Sequence, residues 1–429
     1  MSKKRKNIII MSSINTKWEA VQFLKEYIAK CGHNPIVLDI SMMKNPNVTL
    51  EPDIKAIEVA EAGGGGKADT EGETGKRAER VEIFKRGAIK IVKEMVEDGR
   101  ADGFVAIGGA TNTGIASAIS KALPFGFPKL ILSSVAAMRY DYIDRSDVAL
   151  FASIVDTDSL NIFLRNSLAR AAYMICGAVD SVDRPVSAEI DELRKSGVKV
   201  IAMTQLWTSD CCAYILDILR RKGNYEVITY HSVGIGDMIM ENQIEAGMKF
   251  DAVIDTSIMS LSGYLLGGNI AADKTRLEAA GKKGIPQIIT PAGLDLISCG
   301  PISRRDSGHD PLWEKKGFKQ RKLFSEGDVR IQVKISPEEA ILIGRTVAKK
   351  LNQAKGPVKF LVPWKGWSIA NMEGQPLYEP ETDKLLIDTI KAEVNPEITE
   401  IREYDLYINT PEFASVIVET LEEMLSKTA

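Results

Sequence analysis

The stretch Phe104-Val-Ala-Ile-Gly108-Gly109-Ala110-Thr111-Asn112-Thr113-Gly114 decides how the rest of the chain is read. An apolar run stops on two glycines, and helical spacing begins at once and continues over Thr113–Ala122. A short apolar run bounded by glycine reads as a buried strand. A strand that feeds straight into a helix reads as part of a parallel βαβ unit. The flanking sequence repeats this grammar. Asn7–Met11 reads as a strand, Thr16–Lys30 as a helix with Val21, Leu24 and Ile28 on one face, and Asn34–Ile40 and Lys129–Ser133 as further strands. Apolar strands joined by amphipathic helices predict an α/β fold, a mainly parallel sheet flanked by helices.

The grammar restarts in the second half. Val198–Met203, Glu226–Tyr230, Ala252–Ile254, Gln287–Thr290, Arg330–Ile335 and Val358–Val362 read as strands, with helices at Asp210–Arg221 and Pro337–Gln353. Ser336-Pro337-Glu338-Glu339 and Thr410-Pro411-Glu412 are helix starts, a hydroxyl cap followed by proline in the first turn. At roughly 100–200 residues per domain, 429 residues predict two domains. The polar stretch Asp180–Ser196, interrupted by Arg184-Pro185, gives the boundary: a first lobe over 1–180, a linker over 181–196 and a second lobe over 197–429. Two irregular stretches are left over, Ala62–Thr74 with its four consecutive glycines and Pro301–Glu326. The first reads as either a flexible linker or a lid over a cleft.

Composition narrows the function. Charged residues make up 26% and apolar residues 45%, which excludes a disordered chain. No apolar run approaches the roughly 18 residues of a membrane span, and Ile8–Met11 is too short for a secretory segment. A cytoplasmic protein with no membrane partner is expected. The 55 basic residues balance 58 acidic ones, against a nucleic-acid-binding surface. Only His33, His231 and His309 occur, which excludes a histidine-rich metal centre. Five cysteines with no C-x-x-C spacing read as buried thiols.

Several turns can carry chemistry. Gly108 and Gly109 at a strand end allow close backbone approach, and the following helix presents free N–H groups and a positive dipole end to an anion. Thr111 and Thr113 add hydroxyl donors, and a glycine turn without a ligand is the alternative. The segment is neither G-x-G-x-x-G nor a P-loop. In the second half, His231-Ser-Val-Gly234-Ile-Gly236-Asp237 follows a strand, where open α/β sheets bind ligands. Carboxylates from Asp237, Glu241, Asp255 and Asp295 are placed to converge on the same crevice, for proton transfer or Mg²⁺ binding. Trp364-Lys-Gly-Trp367 reads as core, interface or a stacking surface.

The chain also resembles a known family, the ATP-binding portion of the tomato mosaic virus resistance (Tm-one-like) proteins. The resemblance runs from Ile8 to about Pro380 and is carried by Ala122-Leu-Pro-Phe-Gly-Phe-Pro-Lys-Leu130, Arg276-Leu-Glu-Ala-Ala-Gly281, Gly284-Ile-Pro-Gln287 and Gly374-Gln-Pro376. Asn15-Thr16-Lys17, Gly108-Gly109, Ser146-Asp147, Val155-Asp156, Asn161, His231 with Gly234 and Gly236, Met240-Glu241 and Gly267-Gly268 also match. The resemblance implies two Rossmann-like lobes, the first binding ATP or a similar nucleotide through Thr16, Lys17, Gly108, Gly109, Thr111, Thr113, Asp156 and Asn161, with Mg²⁺ as a companion. It implies a homodimer or a heteromer with a paralogue, and a TIM-barrel enzyme as partner. The family's Gly-Gly-Ser-Gly-Gly-Thr turn has Ala110, Thr111 and Asn112 at its centre here, and the glutamate expected at Ser260 is missing. These departures point to a divergent member.

Two functions follow as expectations. In the first, the chain binds a nucleotide or phosphorylated small molecule at the first lobe's glycine turn and the cleft between lobes. In the second, it is a small-molecule enzyme of lyase or hydrolase type, or a subunit of one. There His231, Asp255 and Asp295 are catalytic, and Gly234, Gly236 and Glu241 bind substrate. A non-catalytic scaffold is the third expectation.

Overall fold

The computed structural model describes residues 5–72, 77–136, 145–182 and 184–427. The chain divides into two compact units between Ala188 and Glu189.

In the first unit the order is β1 (Asn7–Ser12), α1 (Ile14–Lys30), β2 (Asn34–Asp39), α2 (Ala56–Ala62), α3 (Arg77–Glu97), β3 (Gly103–Gly108), α4 (Ala110–Ala122), β4 (Lys129–Ser133), β5 (Ala149–Ala152) and α5 (Ile162–Ser181). The five strands form one parallel sheet in the order β2-β1-β3-β4-β5. Alternate residues of each strand face opposite sides. Ile8 and Ile10 of β1 join Val105 and Ile107 of β3 in a core covered by α1 and α5. Ile9, Met11, Phe104 and Ala106 join the core under α3 and α4. The sheet is therefore buried on both faces, which explains its unbroken apolar strands.

The second unit is larger. It runs through α6 (Val186–Lys195, straddling the division), β6 (Lys199–Gln205), α7 (Ser209–Lys222), β7 (Tyr225–His231), α8 (Gly236–Glu245), β8 (Ala252–Asp255), α9 (Met259–Leu266), α10 (Ala279–Lys283) and β9 (Gln287–Ile289). Then come β10 (Leu296–Ser298), the short helices α11 (Ile302–Asp306) and α12 (Pro311–Lys315), β11 (Leu323–Glu326), β12 (Arg330–Lys334) and α13 (Pro337–Leu351). It ends with β13 (Val358–Pro363), β14 (Gly366–Ser368), β15 (Asn371–Met372), α14 (Pro380–Glu393), β16 (Thr399–Tyr404) and α15 (Pro411–Ser426). Six parallel strands are ordered β16-β13-β9-β8-β6-β7. An antiparallel sheet β10-β12-β11 and the β14-β15 hairpin are inserted between its later strands. Ser336 caps α13 in a reciprocal box with Glu339, and the Thr410 hydroxyl accepts from Phe413 N at 3.3 Å.

Three sequence expectations change. Residues 186–195, expected within a linker, form α6, because Ile190 and Leu193 of this polar stretch pack into the core with Val200 and Met240. Pro301–Glu326 is not one long loop: it folds as α11, α12 and β11, with Trp313 and Phe318 buried. In the glycine tract, Gly63 caps α2, and a Cβ there would land on the Ile83 carbonyl of α3. Gly87 answers from α3, where a Cβ would strike the Val59 carbonyl of α2. Bare backbones at this crossing let the two helices approach closely. The Trp364 and Trp367 rings lie 6.4 Å apart, with Trp367 buried. All five cysteines are free thiols. No described helix is long and apolar enough to cross a membrane.

Gly87→Ala is expected to destabilise the first unit by about 1–3 kcal/mol, since its Cβ overpacks the crossing. Gly114→Ala in α4, where a Cβ would meet nothing within 4 Å, is expected to stabilise it by about 0.5–1 kcal/mol. Denaturant midpoints of the two variants against the unaltered chain check both signs.

Candidate functional site

In the first unit β1 lies between β2 and β3, and the helices that follow β1 and β3 lie on opposite faces. Their starting turns flank the switch point of strand order at the carboxyl ends of the strands, the crevice position at which open α/β sheets bind ligands. Ser13 from the first turn donates to Asn112 Oδ1 from the second at 2.8 Å. Asn112 Nδ2 in turn donates to Ile107 O at 2.9 Å. Gly108, at φ +154°, belongs to this lock, since a Cβ there would come within 2.5 Å of Asn112 Nδ2. Gly109 is different. Its φ of −88° suits any residue, and a Cβ would meet only Ser134 Oγ, at 3.6 Å. It is the N-cap of α4 and supplies no side-chain acceptor, so the first-turn N–H groups and the positive helix end face the crevice without a cap.

The other first-lobe candidates separate by their hydrogen bonds. Thr111 is half-buried on the first turn of α4, and its hydroxyl has no partner among the described residues. Thr113 is buried, and its hydroxyl is already taken by Gly109 O at 2.8 Å and Ser133 Oγ at 2.7 Å. Thr16 is exposed and accepts from Lys17 Nζ at 3.2 Å. Lys17 Nζ is also paired with Asp158, so its charge is countered before any ligand arrives. Asn161 caps α5, accepting from Leu164 N at 3.0 Å, and Asp156 Oδ1 accepts from Thr157 N at 2.6 Å. The structure thus brings Gly108, Gly109 and Thr111 together on one turn, and gives Thr113 and Asn161 internal partners.

In the second unit the expected carboxylates separate into two buried networks. Asp237, Glu241 and Asp255 surround Arg276, which is fully buried. Arg276 Nη1 and Nη2 reach the two Asp255 oxygens at 2.9 and 2.5 Å, and its Nε reaches Asp237 at 3.1 Å. Glu241 lies 3.2 Å from Nη1 and also accepts the backbone N–H groups of Leu277 and Ala279 at 2.6 and 2.8 Å. Burial pulls the guanidinium toward its neutral form, but Asp255, Asp237 and Glu241 outweigh that and hold it above its ordinary range. Burial raises the Glu241 carboxyl, opposed by Arg276.

Asp295 belongs to the other network. Lys334 Nζ lies 3.4 Å from Asp295 and 2.6 Å from Asp383, and Asn371 Nδ2 bridges the same carboxylates at 2.8 and 2.9 Å. Burial pushes Asp383 up to about 7, Lys334 working against it and Asp295 with it. His231 is exposed at the end of β7 and forms no hydrogen bond or ion pair with either network among the described residues. Gly234, at φ +87°, and Gly236 make the following turn, where a Cβ would strike the Ala271 and His231 carbonyls respectively. Among the described residues, no group of three or more His, Cys, Asp or Glu is arranged to hold a metal ion.

Sequence reading singled out Arg276 only as part of a matching stretch, and missed Lys334, Asn371 and Asp383. Lys334 had one local signal: with Gln332 it puts two polar residues on one face of a strand that is buried on both faces. Asp39 was also missed. It ends the otherwise apolar Ile36-Val-Leu of β2, and its Oδ1 accepts from Ile14 N at 3.2 Å and Ser41 N at 2.9 Å.

Both units are α/β modules wound about a parallel sheet, with the first strand between the second and third. This defines a two-lobed α/β protein with crevices at its strand ends. The chain belongs to the uncharacterised protein family UPF0261: residues 6–184 match its N-terminal domain and 198–425 its C-terminal domain. A UPF0261 protein of Clostridium tetani is 30% identical over 423 residues, covering 98% of this chain and 100% of the relative. One from Brucella suis is 30% identical over 415 residues, 95% of this chain and 93% of the relative. The ToMV susceptible protein tm-1(GCR26) of Solanum lycopersicum is 25% identical over 442 residues, 98% of this chain but 56% of the relative.

Replacing Arg276 by Met strands three buried carboxylates and is expected to cost about 3–5 kcal/mol, read from the denaturation midpoint of the second unit. The Asp383 prediction is one of slope. Between its ordinary value of 3.8 and about 7, the folded chain holds a proton that the unfolded chain has released. This group therefore makes stability fall as pH rises through that window. Asp383→Asn is expected to remove up to one proton from the slope of unfolding free energy against pH between 4 and 7.

Proposed function

We propose that the first unit binds the phosphate groups of a nucleotide, ATP or a close relative, in the crevice between the Ser13–Lys17 and Gly108–Thr113 turns. The observation that carries this reading is Gly109. It opens a 13-residue helix, leaves the first N–H groups uncapped, and fills no packing need of its own. A phosphate oxygen suits such a helix start, accepting backbone N–H bonds in the field of the helix dipole. Thr111 adds a hydroxyl from the same turn. Lys17 adds charge once it exchanges Asp158 for the phosphate. Resemblance to the Tm-one-like proteins favours ATP as the phosphate carrier, and Mg²⁺ would arrive on the phosphates.

Titration calorimetry of the full chain with Mg²⁺ and ATP tests the reading. Binding is expected, and Gly109→Asp is expected to abolish it while keeping the fold. Aspartate is a favourable N-cap, so this variant should unfold at the same midpoint or slightly above it, its own carboxylate occupying the place of the phosphate. His231→Ala should leave the affinity unchanged. No heat at millimolar nucleotide, or full binding by Gly109→Asp, would sink the proposal.

A further inference from the structure

On the β2 side of β1 lies a cavity of about 570 Å³, within the range of small-molecule sites. Its lining joins the first turn of α1, the end of β2, the loop over 41–53 and the segment after the glycine tract. The loop is held in place: Asp39 N donates to Ile54 O at 3.0 Å, Val37 N to Asp53 Oδ2 at 2.7 Å, and Asn45 Nδ2 to Asn15 O at 2.6 Å. Lys67 and Thr70, from the stretch expected as linker or lid, close another side.

Asp39 is the polar group fixed at this cavity. Ile14 N, Ser41 N and the Ser41 hydroxyl all converge on its Oδ1, the last at 2.5 Å. Its Oδ2 has no hydrogen-bond partner among the described residues, although the residue is 7% exposed and lines the cavity. Burial raises the Asp39 carboxyl, opposed by the bonds from Ser41 and Ile14. A carboxylate held by one oxygen presents the other as a fixed acceptor, suited to ligand hydroxyls or to a cation. Lys44, Lys55 and Lys67 line the cavity with Asp39 and Glu51, and Lys44 and Lys67 pair with Glu71 at 2.7 and 3.9 Å, so the lining is balanced and has no excess of negative charge to draw a cation. Val48, Leu50 and Ile57 supply an apolar wall. A ligand with hydroxyls and a flat apolar part meets these conditions.

The position agrees with this chemistry. Ser13 contacts the α4 turn, while Ile14 and Asn15, the next two residues, line the cavity. Two strand spacings of about 4.8 Å separate the ends of β3 and β2, so one ligand can reach from the Gly109 turn to Asp39. We propose that this cavity takes the ribose and base of the nucleotide, with Asp39 accepting hydrogen bonds from the ribose hydroxyls. The inference rests on the phosphate reading above and adds a nucleoside half to it.

The test compares ATP, 2′,3′-dideoxy-ATP and inorganic tripolyphosphate on the full chain by calorimetry with Mg²⁺. ATP is expected to bind at least tenfold more tightly than either analogue. Asp39→Asn keeps an oxygen for Ile14 and Ser41 and is expected to erase the preference for ATP over the dideoxy compound without weakening tripolyphosphate. Val48→Trp, which fills the cavity from the loop, is expected to bring ATP down to the affinity of tripolyphosphate. Tripolyphosphate binding as tightly as ATP would overturn the nucleoside site and leave the phosphate site standing. Equal affinity for ATP and its dideoxy analogue would overturn the role of Asp39. No binding of any of the three would overturn both readings.

Discussion

Parallel strands in one sheet are joined by right-handed crossovers, and this constraint sets where each unit can bind anything. A chain that moves from its first strand to one neighbour and then crosses back to the other must send the intervening helices to opposite faces. The turns after the first and third strands then lead away from each other. No side chain has to create the resulting crevice. In the first unit it opens between β1 and β3, and in the second between β6 and β8, since both sheets share the order second, first, third.

The two crevices hold different things. In the second unit, Thr204 from β6 donates to Asp255 at 2.7 Å, Thr208 and Thr256 hydroxyls meet at 2.7 Å, and Arg276 binds both Asp255 oxygens. These contacts fill the strand ends with a buried polar network. Lysine could not replace Arg276 here, because only the planar guanidinium reaches Asp255 twice while its other nitrogen addresses Asp237. Such a network contributes little net stability over apolar packing, yet losing one member is costly. It fixes the relative positions of α8, β8 and the segment before α10. Among the described residues, the first unit leaves three strand-end groups open instead: the uncapped start of α4, the Thr111 hydroxyl and one oxygen of Asp39.

The fold was largely legible because its strands are buried on both faces. Uniformly apolar runs such as Phe104–Ile107 and Ile8–Met11 can hardly be read otherwise once helices separate them. α6 carried a signal that its charge hid: Val186, Ile190 and Leu193 stand at i, i+4 and i+7, the spacing of one helix face, within a stretch that reads as polar after Arg184-Pro185. The sites were legible only in part. Gly108 and Gly109 stand out in sequence as a pair, but only coordinates separate the glycine demanded by Asn112 from the one that packing does not demand. Asp255 and Asp295 both follow strands, and nothing local says that one will bind Arg276 and the other Lys334. Those partners are 21 and 39 residues away, brought in by the packing of inserted elements. His231 stood out by scarcity, which measures how few imidazoles exist and says nothing about what surrounds one.

Gly109 therefore carries more of the functional argument than any charged residue in the chain. A charged side chain in a folded protein is commonly explained by the partner that neutralises it, and Arg276, Lys334 and Lys17 each have one. A glycine is explained by a positive φ or by a close neighbour, and Gly87, Gly108, Gly234 and Gly236 each have one of these. Gly109 has neither. At a helix start, a short polar side chain would cover the first N–H groups itself, as Ser336 and Thr410 do for α13 and α15. Glycine instead leaves those donors open at the crevice that the crossover rule creates, and the proposed phosphate site rests on that opening.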